Sequence, residues 1–170
     1  MRFLGLLVCC LLSGCLAIPE GIQPVEDFEL NRYLGKWYEI ARLDHSFERD
    51  LEAVTAEYSM RDDGGIDVIN SGRNIETQKS QQAEGRAYFV EDPNLGYLKV
   101  SFFGPFFGSY VVFELDKNYQ YAFVAGNTKN YLWLLARTPE VSEELINKFT
   151  SRASQLGFDT NQLIFVNQQH

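Results

Sequence analysis

Between Lys36 and Arg137 the chain divides into eight strand-length segments, and the shortness of the links between them constrains the fold more than any single motif. The segments are Lys36–Leu43, Val54–Arg61, Ile66–Asn74, Ser80–Val90, Tyr97–Phe103, Tyr110–Asp116, Tyr119–Gly126 and Tyr131–Arg137. Parallel neighbours need a crossover of about a dozen residues or more, so successive strands joined this tightly must run antiparallel. Turn chemistry agrees: Asp62-Asp63-Gly64-Gly65 is a hairpin turn, and Glu91-Asp92-Pro93-Asn94 and Lys117-Asn118 are further breaks. In the second strand Val54, Ala56, Tyr58 and Met60 alternate with Thr55, Glu57, Ser59 and Arg61, which predicts one wet face and one dry. Two architectures satisfy this pattern, a sandwich of two sheets and a closed up-and-down barrel. Closure removes the exposed edges and is the preferred reading, an all-β chain built on an eight-stranded antiparallel barrel.

A single helix follows the strands. Thr138 is its expected cap with Pro139 at the first position, Glu140, Glu143 and Glu144 lie near its positive end, and Gly157 terminates it. Leu145, Phe149, Ala153 and Leu156 form an apolar stripe, which predicts that the helix packs on the outside of the barrel. A membrane or a partner protein could also take that stripe. Leu163–Val166 is a short ninth strand.

The N-terminus carries a different signal. After Arg2, the apolar run from Phe3 to Leu12 is about ten residues, too short to span a bilayer but suited to an export leader. Leu12-Ser13-Gly14-Cys15 resembles the lipobox of bacterial lipoprotein leaders, which implies cleavage before Cys15 and acylation of its thiol. An ordinary secretory leader that happens to contain a cysteine is the plainer alternative. More than one acyl chain is needed for a lasting anchor, in keeping with the triacylation the resemblance implies. Leucine at position 16, where aspartate would retain a lipoprotein at the inner membrane, implies delivery to the outer membrane, with the domain expected on its periplasmic face.

The expected division is a leader over 1–14, a lipidated cysteine and tether over 15–27, and one barrel domain over 28–170. Cys9 and Cys10 leave with the leader and Cys15 carries lipid, so the mature chain has no thiol for a disulfide, a metal site or a nucleophile. A chain that is 45% hydrophobic can hold itself by one core. Its formal charge of -8, with no basic cluster, argues against nucleic acid as a partner.

Asn31-Arg32-Tyr33-Leu34-Gly35-Lys36-Trp37-Tyr38-Glu39-Ile40-Ala41-Arg42 is similar to the first signature of the lipocalins, with Gly-X-Trp at Gly35 and Trp37. Asn118-Tyr119-Gln120-Tyr121 resembles the second, although Lys117-Asn118 stands where threonine-aspartate is usual, and Arg137 resembles the third. The matches are in order from about Phe28 onward. With the lipobox, they make the chain look like a bacterial outer-membrane lipocalin. The resemblance implies a fatty acid or lysophospholipid as ligand and Gly35, Trp37, Tyr119 and Arg137 as structural residues.

Strand periodicity adds local expectations. Trp37, Glu39 and Ala41 share one face of the first strand, and Tyr38, Ile40 and Arg42 share the other. If Trp37 plugs the closed end, Arg137 can lie over its ring. Glu39 is then inside and needs a partner: Arg137, a tyrosine hydroxyl, water or a ligand head group. Successive hairpins alternate ends, so the 44–53, 75–79, 104–109 and 127–130 links share the mouth. Phe106 and Phe107, between glycines in one of those links, with Tyr110, Trp133, Tyr58 and Glu39, are the candidate ligand contacts. His45 is expected to matter little beyond the rim.

Three function classes remain at this point. A lipid-storing or lipid-transporting barrel is the main one. A filled structural barrel of the envelope is the second. An enzyme is the third and weakest, because Asp44, His45 and Ser46 are adjacent and adjacent residues rarely converge as a triad, and no strand–turn–helix element presents a nucleophile. The prostaglandin-synthase and de-epoxidase relatives of lipocalins use cysteines that the mature chain lacks. No catalytic residue, metal or cofactor is expected, and association into a homodimer is left open.

Overall fold

A computed structural model describes residues 16–169; the expected leader and Cys15 lie outside the described residues. Eight strands close into an antiparallel barrel: β1 (Gly35–Leu43), β2 (Leu51–Met60), β3 (Ile66–Asn74), β4 (Ser80–Phe89), β5 (Tyr97–Phe103), β6 (Phe106–Leu115), β7 (Tyr121–Ala125) and β8 (Leu132–Ala136). Each pairs with its sequence neighbour, and β1 returns to both β8 and β2. The antiparallel order was legible from link lengths and the closed barrel was the preferred reading; the sandwich is excluded by that ring of pairings.

Two helices sit on this frame. A four-residue helix, α1 (Leu30–Tyr33), precedes β1 and was not anticipated. The second, α2 (Glu143–Gln155), begins later than Thr138 and Pro139 suggested. Its cap is Ser142, whose side chain accepts from the Leu145 amide, while Thr138 Oγ1 donates locally to the Glu140 carbonyl. Gly157 ends it with φ +81°, and the Phe158 amide reaches back to the Ala153 carbonyl. Phe149 and Ala153 are fully buried against Phe123, Leu132 and Leu134 on the outer wall, as the apolar stripe implied. Lys148 on the helix ion-pairs with Glu114 of β6.

The last strand, β9 (Leu163–Phe165), pairs with Ala41–Leu43 of β1. Here β1 has separated from β2, whose direct pairing with it is confined to residues 35–38 opposite 58–55. The C-terminal chain bridges the gap: Asn167 accepts from the Ala53 amide, and Gln168 Nε2 donates to the carbonyls of Glu39 and Val54.

The expected tether is shorter than its composition suggested. Pro19 and Ile22 are buried, and Ile18 packs on the core beneath α2. The Val25 amide bonds to the Val112 carbonyl and the Gly96 amide to the Val25 carbonyl. A segment with no periodicity can still be held edge-on by backbone hydrogen bonds, which composition does not encode.

Two apolar clusters divide the structure. One lies between barrel wall and α2. The other fills the barrel itself, with Trp37, Tyr58, Val68, Ala87, Leu98, Val112, Val124 and Leu135 among its members.

Candidate functional site

The closed end of the barrel is built around Trp37. Its ring is fully buried, its Nε1 donates to the Tyr33 carbonyl at 2.8 Å, and the Arg137 guanidinium lies 3.9 Å from its centroid. Arg137 also donates to the carbonyls of Arg32, Tyr33, Leu34, Lys36 and Tyr119, stapling α1, β1 and the 116–120 turn together. Gly35 has φ +92°, a backbone conformation that favours glycine. Tyr119 is also buried, with φ 58°, and its hydroxyl accepts from the Glu29 amide.

Above Trp37 lies a floor of phenols. Tyr110 Oη is 2.6 Å from Tyr33 Oη and 2.9 Å from Tyr58 Oη. Burial pushes all three hydroxyls above the ordinary tyrosine range, so they remain neutral. Tyr58 and Tyr110, both candidate ligand contacts, therefore sit deep on the inner wall and tied to one another.

Higher up, β1 departs from the alternation read in its sequence. The register shifts between Glu39, opposite Leu135, and Ala41, opposite Leu134, so Ile40 is an extra residue in the strand. Beyond a bulge every side chain changes face. Ala41, expected beside Trp37, joins the outer cluster together with Ile40 and Leu43, while Arg42, expected outside, turns inward. Arg42 Nη1 donates to Glu39 Oε1 at 2.7 Å, with both residues almost fully buried. The partner that Glu39 needed is on its own strand.

This pair belongs to a larger polar group under the 44–50 loop. Arg42 Nη2 donates to the Glu48 carbonyl, and Trp133 Nε1 donates to Glu48 Oε2 at 3.1 Å. His45 Nε2 lies 2.8 Å from the same Glu48 oxygen, although its ring N–H is out of line for a hydrogen bond. His45, expected to be peripheral, is buried and stacks on Phe47 with 3.9 Å between ring centroids. Its ring lies 5.3 Å from that of Trp133. Burial, reinforced by the Glu48 charge, raises the Glu39 carboxyl well above the usual range despite Arg42. Burial acts in the same direction on Glu48, but His45 and the Trp133 donor together outweigh it and lower that group. The two carboxyls are thus pushed apart, one toward a neutral acid and the other toward an anion.

Arg42 Nε and Asn70 Oδ1 are buried without a hydrogen-bond partner among the described residues. A cleft of about 80 Å³ inside the rim is bordered by Phe47, Glu48, Val54, Asn70, Gly72 and Ala83.

The two loop phenylalanines part company. Phe106 and Phe107 belong to β6 rather than to a loop. Phe106 stands at the rim, 78% exposed. Phe107 is on the outer wall, packed edge-on to Tyr88 and beneath Arg86 and Lys99, so its expected place at the opening is corrected. Lys99 shares that outer face with Ser109, whereas Leu98 and Tyr110 pair on the inner one. The residues that sequence reasoning missed are Tyr33, Arg42, His45 and Glu48. The signal for Arg42 was the inward Glu39 itself, whose charge required a nearby cation.

A closed eight-stranded barrel with an aromatic floor, a polar group near its mouth and a helix on its outer wall defines a small-ligand-binding barrel. The lipocalin-like domain family matches residues 28–168, and the chain belongs to the lipocalins. Over 171 residues it is 61% identical to "Outer membrane lipoprotein Blc" of Vibrio cholerae, spanning 99% of this chain and 100% of that protein. The protein of that name in Escherichia coli K12 is 52% identical over 88% of this chain and 85% of its own length. "Temperature-induced lipocalin-1" of Arabidopsis thaliana is 33% identical over 84% of this chain and 80% of its own. Among solved structures, insecticyanin of the tobacco hornworm aligns with a TM-score of 0.69 at 19% identity, over 91% of this chain and 88% of that one. That last likeness concerns the fold alone. The family is one of binding and transport proteins rather than enzymes, and the likeness to the bacterial lipoproteins makes this chain a lipid-anchored outer-membrane protein.

Proposed function

We propose that the chain stores or transfers single-chain amphiphiles, fatty acids or lysophospholipids, at the periplasmic face of the outer membrane, held there by acylated Cys15. The observation that carries this reading is the pairing of an apolar barrel interior with a buried polar group near its open end. Val100, Phe102 and Trp133 offer contact for an acyl chain, and Arg42 Nε with Asn70 Oδ1 offers unused donor and acceptor capacity for a head group. Burying a chain gains about 0.8 kcal/mol per methylene. Sixteen carbons therefore offer on the order of 12 kcal/mol before losses of freedom and the lipid's own preference for a membrane are subtracted. Micromolar or tighter binding of one-chain lipids is the expected result, with two-chain phospholipids disfavoured by the width of the barrel.

The test is a titration of the non-acylated Cys15→Ala form with lysophospholipid and fatty acid, read by tryptophan fluorescence. Trp133 should respond, because ligand replaces water beside its ring. No saturable response, from a protein that also carries no extractable lipid, would defeat the reading.

A filled structural barrel is the second reading. The cleft of about 80 Å³ supports it, since that space is too small for an acyl chain. Entry of a ligand therefore requires the Phe47–Glu48 segment, which borders the cleft, to move. The mass of lipid extracted from the purified protein, before and after delipidation, separates the two readings.

A further inference from the structure

Among the described residues, the large apolar side chains exposed to solvent are concentrated at one end of the barrel. Phe103 (80%), Phe106 (78%), Phe47 (55%) and Ile75 (52%) all lie on or beside the links that surround the open mouth. At the closed end Met60 alone is comparable. Scattered apolar residues need no explanation, but a rim of aromatic tips on a water-soluble face does.

The charge around the most prominent of these tips is also unusual for so acidic a chain. The Phe103–Phe106 hairpin is footed by Arg86, whose Nη2 reaches to 3.0 Å of the position a Cβ on Gly104 would take. Lys99 lies beside it over the Phe107 ring. Neither residue, nor Lys79 on the neighbouring link, makes an ion pair among the described residues. Asp44 and Asp50 lie on the link between β1 and β2, and Glu76 shares its link with Lys79, so the hairpin with Arg86 and Lys99 is the part of the mouth suited to a negative surface.

The path of the chain points the same way. From Phe28, bonded to the Asn94 carbonyl at the closed end, the N-terminal segment climbs the outer wall to Gly21, which faces Leu156 at the top of α2. Gly157 in turn lies against Lys129 of the mouth link between β7 and β8. Ile18 is still packed on the wall. Cys15 is three residues further along, at most about 10 Å of extended chain. An acyl group on Cys15 thus holds the open end, not the closed end, close to the bilayer.

We infer that the mouth of the barrel docks on the membrane, with Phe103 and Phe106 entering the interfacial region and Arg86 and Lys99 meeting anionic phospholipid head groups. The inference rests on the lipid-anchored reading and supplies a route for cargo, because lipid can pass between bilayer and barrel without crossing water. Basic side chains near an anionic surface and aromatic rings at the interface are mutually reinforcing in such a contact.

The test uses the acylated protein in vesicles of phosphatidylethanolamine and phosphatidylglycerol at 3:1, with a fraction of the lipid carrying a fluorescence quencher. Single cysteines introduced by Ser80→Cys at the mouth and Asp62→Cys at the closed end carry an environment-sensitive fluorophore. The expected result is quenching of the Ser80 site and none at the Asp62 site. Phe103→Ser with Phe106→Ser, or Arg86→Glu with Lys99→Glu, should abolish that quenching while the protein stays vesicle-bound through its acyl chains and keeps its unfolding temperature. Equal quenching at both sites, or none at either, overturns the inference. So does a Ser80 site already shielded without vesicles, which would mark the rim as covered by a second copy. Lysophospholipid titration of the same samples keeps the questions apart: rim quenching without a ligand response defeats only the cargo reading, and the reverse defeats only the docking.

Discussion

Arg42 Nη1 and Glu39 Oε1 meet at 2.7 Å inside the barrel, although three residues along a regular strand would have put them on opposite faces. The bulge at Ile40 brings them together, and the pair makes the bulge consequential: it is where the polar group near the mouth begins. Removing Arg42 leaves a buried carboxyl with its strongest donor gone. Arg42→Ala should cost about 3–5 kcal/mol by chemical denaturation, whereas Glu39→Leu with Arg42→Met should be far milder. Equal losses in the two variants would show that packing, not charge, is what Arg42 contributes.

The raised Glu39 carboxyl predicts a pH dependence of stability. A carboxyl whose folded pKa lies above its unfolded value favours the fold most at low pH, and that contribution is lost as pH rises through the folded pKa. Glu48, lowered in the fold, acts in the opposite sense and loses its contribution as pH falls. Glu39→Gln should therefore gain stability relative to the parent as pH rises from the acidic side toward neutrality. Thermal unfolding of both proteins across that window checks it, and parallel curves would be the adverse result.

At the closed end, Trp37→Ala should destabilise by about 3–5 kcal/mol, the usual cost of deleting a large buried ring. Arg137→Ala should cost less. Because the guanidinium lies 3.9 Å from the ring centroid, the double variant should lose less than the two singles combined.

The stacking of His45 on Phe47, with Trp133 tilted against it beside Glu48, makes His45 part of the mouth. His45→Ala and Trp133→Phe should each weaken lysophospholipid binding, the first through the loop and the second by freeing the Glu48 oxygen. Phe107→Ala, on the outer wall, should leave the titration unchanged.

The cap of α2 offers a smaller test. Ser142→Ala should cost about 1 kcal/mol, and Thr138→Ala a few tenths at most. A larger effect at Thr138 would mean that the helix begins earlier in solution. In cells, Cys15→Ala should leave the barrel folded but release it from the membrane fraction after a salt wash.

Link length, alternation and turn residues determined the antiparallel order of neighbouring strands from sequence alone, because a link too short for a crossover permits only an antiparallel neighbour, whereas closure into a barrel rather than a sandwich was settled by β1 pairing with both β8 and β2. The apolar stripe of α2, the inward Trp37 and the reach of Arg137 toward it were legible for the same reason: each depends on a period of two or 3.6 residues. What only the tertiary structure decided lies where a period is broken or where distant backbone meets. One inserted residue at Ile40 reversed the faces of Ala41 and Arg42 and so supplied Glu39 with its partner. The extra residues in β6 placed Phe107 outside. His45 and Glu48, in a stretch with no strand or helix period, were gathered under Trp133 by the closure of the ring. A bulge costs little locally and its gain is collected by partners far along the chain, so nothing in the immediate sequence announces it.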